Sequence, residues 1–334
     1  MILMKSYYRL LGHYYLLLRF FKNLRDLGVS LLELENILGV IYWYLFKQKY
    51  STRCRCCSEL YINQTNINPY YFASACKLKK MGLPVEIRNS VFYYDGLEVY
   101  PTVIPYIARV IKYNWQVFNM KGNPMISFTV KNHDFKAVLL KGYEGLLQFY
   151  EQFILEQYGM FDYKDKTVID IGGFIGDTAL YFYSKEARKI VSFEPSKKNY
   201  TILIKNITLN NIKNVIPINA GVWDENTKGI ITNPAPTAYR VKEESKGDVA
   251  LVSILDIIDS YRPDIIKMDC EGCEYKVFEK LLETGYIYDV PEYVFEAHGN
   301  IKNELLSKLR SLDEFRLCVH SDLGNMAIVS LKKL

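Results

Sequence analysis

Asp170-Ile171-Gly172-Gly173-Phe174-Ile175-Gly176-Asp177 is the stretch that decides the fold. Thr167-Val168-Ile169 before it continues into a buried strand, and Asp177–Tyr183 after it opens a helix. A strand that turns on glycines into a helix is the first unit of an open α/β sheet. Such sheets bind ligands in the crevice beyond the carboxyl ends of their strands. Glycines at this turn let the backbone come close to a ligand.

The residues around the turn narrow the ligand. No Gly-Lys-Ser/Thr ending is present, so the turn is not a P-loop, and Gly172 and Gly176 do not have G-x-G-x-x-G spacing. Asp170 would repel a pyrophosphate and attract an ammonium group. S-adenosylmethionine carries an ammonium and a sulfonium and no phosphate, and it is the expected cofactor. Glu194 ends the next strand, Ile190–Glu194, where an acid accepts hydrogen bonds from both ribose hydroxyls. Asp170, Gly172, Gly173, Gly176, Asp177, Glu194, Asn219 and Ala220 form the expected cofactor set, with Ala220 near the adenine.

Outward from this turn the second half alternates strand and helix. Helices are expected over Ser196–Asn210, Ser253–Tyr261, Tyr275–Thr284 and Asn303–Leu312. Strands are expected at NVIPINAGV (214–222), DIIKMDCEG (264–272), EYVFEAHG (292–299), FRLCVH (315–320) and MAIVSL (326–331), with an insertion over Lys228–Val252. This pattern predicts a mostly parallel sheet covered on both faces, with one antiparallel strand at its edge.

The first half reads differently. Residues 1–50 predict two helices, and 51–84 a connector without a clear period. Residues 85–147 predict strands and turns, with a hairpin at Asp95-Gly96, and Gly145–Tyr158 predicts a helix leading into the next domain. The expected division is 1–84, a helical extension and connector; 85–160, a small β-rich region; and 161–334, the cofactor-binding domain.

Composition is that of a globular chain, with 49% apolar and 24% charged residues. Residues 1–160 carry 19 Lys+Arg against 11 Asp+Glu, whereas 161–334 carry 23 against 26. The basic, aromatic N-terminal helices fit either a solvated face or peripheral contact with a membrane. No signal peptide and no span of ~18 uncharged apolar residues is evident, and a cytoplasmic chain is expected. Seven cysteines argue against a disulfide framework and for a reducing compartment. Cys54 and Cys57, and Cys270 and Cys273, have Cys-x-x-Cys spacing, but neither has the second pair of a zinc site.

The remaining chemistry lies in Lys267-Met268-Asp269-Cys270-Glu271 and in Glu296-Ala297-His298. Lys267, Asp269 and Glu271 alternate onto one face of a strand end. Glu296 and His298 do the same on the following strand. Acids and an imidazole at adjacent strand ends suit binding an acceptor and taking its proton. Asp269, Glu271, Glu296 and His298 together also have the donor types for a hard cation, although no metal is expected.

VIDIGGFIGDTALYF, VSFEPSKKNYTILIKNITLNNIKNVIPINAGV and IIKMDCEGCEYKVFE resemble the FkbM-type methyltransferases. The likeness runs over roughly 143–331 through Asp-x-Gly-x-x-x-Gly-Asp, Phe-Glu-Pro, Asn206 with Asn210, and Lys-x-Asp-x-Glu-Gly-x-Glu. The family usually has Ala-Asn where this chain has Gly173-Phe174. The resemblance implies a Rossmann-like seven-stranded class I methyltransferase sheet and S-adenosylmethionine-dependent O-methylation of a sugar, glycan or glycolipid hydroxyl. It leaves the first 140 residues unexplained. A non-catalytic scaffold on this fold is disfavoured by the intact Asp170, Glu194 and Asp269. A nucleic-acid methyltransferase is disfavoured by the lack of an Asn/Asp-Pro-Pro-Tyr/Phe motif, and no nucleic-acid partner is expected.

Overall fold

The computed structural model describes residues 50–54, 60–65, 68–131, 133–232, 240–299 and 302–334. The two N-terminal helices, the membrane contact assigned to them, and Cys57 lie outside the described residues. The chain divides into two compact units. One takes residues up to 129 together with 137–147, and the other takes 130–136 and 148–334.

In the first unit a short antiparallel pair, β1 (Tyr50–Arg53) and β2 (Tyr61–Thr65), precedes helix α1 (Pro69–Lys80). The helix corrects the expected connector over 51–84. Its Pro69 is easily read as a breaker, but it occupies the first turn, where no amide donor is needed. Asn68 caps the helix by accepting from the Tyr70 amide at 3.0 Å, and Lys77, Lys79 and Lys80 sit at its negative end. A meander of β3 (Val85–Arg88), β4 (Val91–Tyr94) and β5 (Leu97–Glu98) follows. Asp95 and Gly96 turn its second hairpin with φ of 48° and 79°, as the hairpin reading expects. Helix α2 (Ile104–Val110) interrupts a region expected to hold only strands and turns. Then come β6 (Gln116–Met120), β7 (Asn123–Val130) and β8 (His133–Val138), which form one three-stranded sheet.

Helix α3 (Leu146–Phe153) stops short of the expected Tyr158. The chain beyond it reaches β9 (Thr167–Ile171), α4 (Asp177–Ser184), β10 (Lys189–Phe193), α5 (Lys197–Leu209) and β11 (Val215–Ile218). The expected single third strand over 214–222 is split. β11 joins the main sheet, whereas β12 (Gly221–Trp223) joins β13 (Thr227–Ile231), β14 (Val241–Glu243) and β15 (Val249–Ser253) in a separate four-stranded sheet. Asn219 makes the break by donating to the carbonyls of Glu194 at 2.8 Å and Pro195 at 3.2 Å. The chain continues through α6 (Ile254–Tyr261), β16 (Ile265–Met268), α7 (Cys273–Thr284), β17 (Glu292–His298), α8 (Lys302–Arg310), β18 (Phe315–Asp322) and β19 (Met326–Lys333).

The main sheet has seven strands in the order β11-β10-β9-β16-β17-β19-β18. β11, β10, β9, β16 and β17 run parallel, and β19 lies antiparallel between β17 and β18. β9 and β16 are buried along their whole length, which explains why they read as almost unbroken apolar runs. β10 and β16 flank β9 on opposite sides, so the crevice opens where the strand order reverses. Pairing also lines up three polar residues across the sheet: Ser192 of β10 and Lys267 of β16 both stand opposite Asp170 of β9. The cores of both sheets and their covering helices merge into one cluster that includes Ile169, Phe193, Trp223, Leu251, Phe278 and Phe295.

Lys267 and Asp170 form a buried ion pair at 3.1 Å, so removing one partner strands the other. Lys267→Met is expected to lower unfolding stability in a urea titration by about 3–5 kcal/mol. Adding Asp170→Asn to the same chain should recover most of that loss. A double variant as unstable as the single one would show that the pair does not set the stability of this register.

Candidate active site

A cavity of about 200 Å³ opens at the carboxyl ends of β9, β10, β16 and β17, within the second unit. The glycine turn forms its floor. Gly172 has φ of 82°, and a Cβ there would stand 1.8 Å from the Asp269 carbonyl. The turn therefore packs directly on the end of β16, and only glycine fits. The next residue but one, Phe174, also takes a left-handed φ of 47° and lines the cavity. Asn, which the family usually has here, enters this region far more readily than Phe.

The expected cofactor residues separate into two groups. Gly172, Asp177 and Glu194 line the cavity. Glu194 is 4% exposed, and its two oxygens accept from the amides of Phe174 at 2.9 Å and Ser196 at 2.8 Å. Burial pushes its carboxyl up to about 8, against those amides and Lys267. Each oxygen keeps a lone pair for a hydroxyl donor. Phe174, Phe193, Val222, Trp223 and Leu251 supply apolar wall beside it. A ribose with an attached flat base fits this end.

Asp170, Gly173, Gly176, Asn219 and Ala220 are not part of the cavity wall; Gly221 and Val222 stand there where Asn219 and Ala220 were expected. Asp170 faces its neighbours instead. It accepts from Thr178 Oγ1 at 2.8 Å and Ser192 Oγ at 2.7 Å and pairs with Lys267. Lys267 Nζ also donates to the carbonyls of Ile171 at 3.3 Å and Gly172 at 2.8 Å.

Lys267, Asp269 and Glu271 do not share one strand face as expected. β16 stops at Met268, so Asp269 and Glu271 lie beyond the strand and its alternation no longer governs them. Lys267 is buried within the strand. Glu271 takes a φ of 57° and turns toward Arg240, at 4.0 Å.

Asp269, Glu296 and His298 do come together. His298 Nε2 lies 3.5 Å from Glu296 Oε2 and 4.0 Å from Asp269 Oδ1. Three residues absent from the expected set complete the group. Glu274, fully buried, receives both His298 Nδ1 and the His298 amide at 3.1 Å. Tyr158 donates to Glu296 at 2.8 Å and lies 3.4 Å from Asp269. Gln157 donates to the same Glu296 oxygen. Glu274 was legible as the last acid of Lys-x-Asp-x-Glu-Gly-x-Glu, but Gln157 and Tyr158 read as the end of a helix over Gly145–Tyr158, whereas α3 stops at Phe153 and leaves both beyond it.

Burial disfavours a charged imidazole, but hydrogen bonds to Glu274 and Glu296 and the nearby Asp269 outweigh it and hold His298 up at about 11. His298 is thus a cation at neutral pH. Burial and Glu296 raise the Asp269 carboxyl, against Lys267 and His298. Asp269 keeps 35% of its side-chain exposure, against 14% for His298. Asp269, Glu296 and His298 are also a described grouping with spacing for a metal ion, their ligand atoms lying within 4.8 Å of one another. Glu271 is not in that grouping, and an imidazolium offers no lone pair at Nε2. Cys270 and Cys273 are joined in a disulfide beside this group, a single bridge that the cysteine count did not anticipate.

These shifts set a pH dependence. Burial lifts Asp177 to about 7 and Glu194 to about 8, so both bind protons more tightly folded than unfolded. Their stabilising contribution is complete below the ordinary carboxylate range and is lost as pH rises through 7 to 8. His298, raised above 6.5, loses its contribution in the same direction as pH rises toward 11. Thermal denaturation of the ligand-free protein should give a lower Tm at pH 8.5 than at pH 6, and Asp177→Asn should narrow the gap. A Tm that rises over this interval would contradict the buried carboxylates.

Residues 170–317 match the family model described as the methyltransferase FkbM domain. Uncharacterized protein 158B of Sulfolobus islandicus rod-shaped virus 1 is 32% identical over 155 residues, which cover 46% of this chain and 74% of that protein. Among solved structures, an rRNA methylase from Streptococcus thermophilus is 14% identical, with 53% of this chain and 92% of that chain covered and a TM-score of 0.35. A ribosomal protein L11 methylase from Lactobacillus delbrueckii subsp. bulgaricus is 14% identical, with 56% and 78% covered and a TM-score of 0.36. Through the domain that holds the glycine turn, Glu194 and Asp269, the chain belongs to the FkbM methyltransferase family.

Proposed function

We propose that this chain is an S-adenosylmethionine-dependent methyltransferase that acts on a hydroxyl of a sugar, glycan or glycolipid. The observation that carries the reading is one cavity with Glu194 at its adenosine-like end and a partly exposed Asp269, beside the half-buried His298, at the other. Glu194 would hold the ribose, and Phe174, Val222, Trp223 and Leu251 the base. When bound, S-adenosylmethionine supplies a methyl group already activated on sulfur, so the protein mainly orients the acceptor.

Asp269 accepts the hydroxyl proton in this reading. Its raised affinity for a proton suits that role near neutral pH. His298, held as a cation by Glu274 and Glu296, steadies the charge of Asp269 rather than acting as base. Tyr158 fixes Glu296 and Asp269 through its hydroxyl, and its ring lies 5.5 Å from Lys267 Nζ. Glu271 and Gln157, on the cavity wall, offer partners to further hydroxyls of a polyol acceptor.

Calorimetric titration should detect binding of S-adenosylmethionine, and a labelled-methyl screen of glycans and glycolipids should identify the acceptor. Glu194→Ala should weaken cofactor binding by ~1.5–3 kcal/mol. Asp269→Asn should lower turnover by ~10²–10⁴-fold with little change in cofactor affinity. Unchanged cofactor affinity in the first variant would remove the ribose assignment, and full activity in the second would remove Asp269 as base.

A further inference from the structure

Cys270 and Cys273 form their bridge on the cavity wall. The two are three residues apart, so the loop they close is very short and constrains the unfolded chain little. Cys54, Cys76 and Cys318 are free thiols. The effect of the bridge is therefore local.

That locality is the acceptor end. Asp269 immediately precedes Cys270, and Glu274 immediately follows Cys273. Both acids meet His298. The turn between them runs through Glu271 and Gly272, with φ of 57° and 124°. Helix α7 begins at Cys273 with no side-chain cap. The Gly272 amide ties the turn to Glu274 Oε2 at 2.8 Å, and Cys270 Sγ lies 3.3 Å from that same oxygen. Joined to Cys273, this sulfur has no hydrogen to donate; as a thiol it has one. Opening the bridge thus changes both the freedom of the turn and a contact of the carboxylate that holds the His298 ring.

We propose that Cys270 and Cys273 are a thiol–disulfide switch for the acceptor end, closed for turnover and opened by a dithiol reductant. A thiolate of the reductant attacks Cys270 Sγ, which is partly exposed, whereas Cys273 is 6% exposed. The S–S bond breaks. The Cys273 sulfur leaves as a thiolate in the first turn of α7, where the helix end favours negative charge, and then takes a proton. The second thiol of the reductant displaces Cys270, which also leaves as a thiol. Two electrons and two protons pass to the protein, and the reductant departs as its cyclic disulfide. The opened turn no longer fixes Asp269 beside His298. Both cysteines are positioning residues, and their effect on turnover rests on the methyltransferase reading above.

The test uses reduced and oxidised dithiothreitol on the full chain. Free thiols are trapped with iodoacetamide, and the peptide holding residues 270–273 is weighed. The pair should be unlabelled in oxidised dithiothreitol and doubly labelled in excess reduced dithiothreitol, reversibly. A bridge that survives excess reductant in the folded chain, or fails to re-form, overturns the switch. Nitrogen-15 NMR of the histidine rings gives a second readout. The His298 signals, identified by their loss in His298→Gln, should shift when the bridge opens. Signals that stay in place overturn the coupling to the acceptor end. Labelled-methyl incorporation into a glycan and glycolipid pool should fall by up to about 100-fold in the reduced chain, the cost of a group misplaced by about 1 Å. S-adenosylhomocysteine should bind equally in both states. The chain with both Cys270→Ser and Cys273→Ser should be as slow as reduced wild type and indifferent to dithiothreitol. If that variant lacks a cooperative thermal transition, the wild-type comparison decides. Equal incorporation in the two wild-type states overturns the switch. No incorporation in either state, with the pair reducible and His298 shifted, overturns the methyltransferase reading and leaves the switch standing.

Discussion

The buried pair of Lys267 and Asp170 is the constraint on which the site depends. Neither side chain reaches water, and an isolated charge in such surroundings costs several kcal/mol. The pair is tolerable because its hydrogen-bonding capacity is used. Asp170 takes two hydroxyls as well as the ammonium, and Lys267 adds the carbonyls of Ile171 and Gly172. Those two carbonyls belong to the glycine turn, so the ion pair holds the turn against the end of β16. The amide of Asp269 completes the junction by donating to the Ile171 carbonyl at 3.0 Å. The β9 turn and the β16 turn are therefore one rigid block, and both ends of the cavity are built on it.

The same block explains how several carboxylates coexist. Glu274 lies behind His298 and fixes its ring through Nδ1, leaving Nε2 toward Glu296 and Asp269. Glu296 is further bonded by Tyr158, and hydrogen bonds from His298 and Tyr158 lower its carboxyl despite burial. Asp269 has the least internal compensation and the most exposure of the group. The least compensated carboxylate of the cluster is thereby also its most exposed one.

Much of this was legible in the sequence. The parallel strands are apolar runs because both of their faces are buried, and the helices carry their own caps: Ser196 accepts from the Asn199 amide at the start of α5, and Ser253 from the Leu255 amide at the start of α6. The direction of Asp170 was not legible. A carboxylate that faces a ligand and one that faces a lysine on a distant strand look alike until strand pairing is known. Tyr158 was hidden because its position depends on where α3 ends, and helix α1 because Pro69 marks equally a stop or a first turn.

Phe174 shows how local strain and site geometry are linked. A left-handed conformation costs a non-glycine residue roughly 1–2 kcal/mol. That conformation accompanies the Phe174 amide's bond to Glu194 Oε2, a contact worth about 0.5–1.5 kcal/mol. The bond can offset part of the strain, and its other effect is positional. Glu194 is held between this amide and that of Ser196, so its oxygens are fixed before any ligand arrives. The turn that cannot accept a side chain at Gly172 thus also orients the acid at the end of the neighbouring strand.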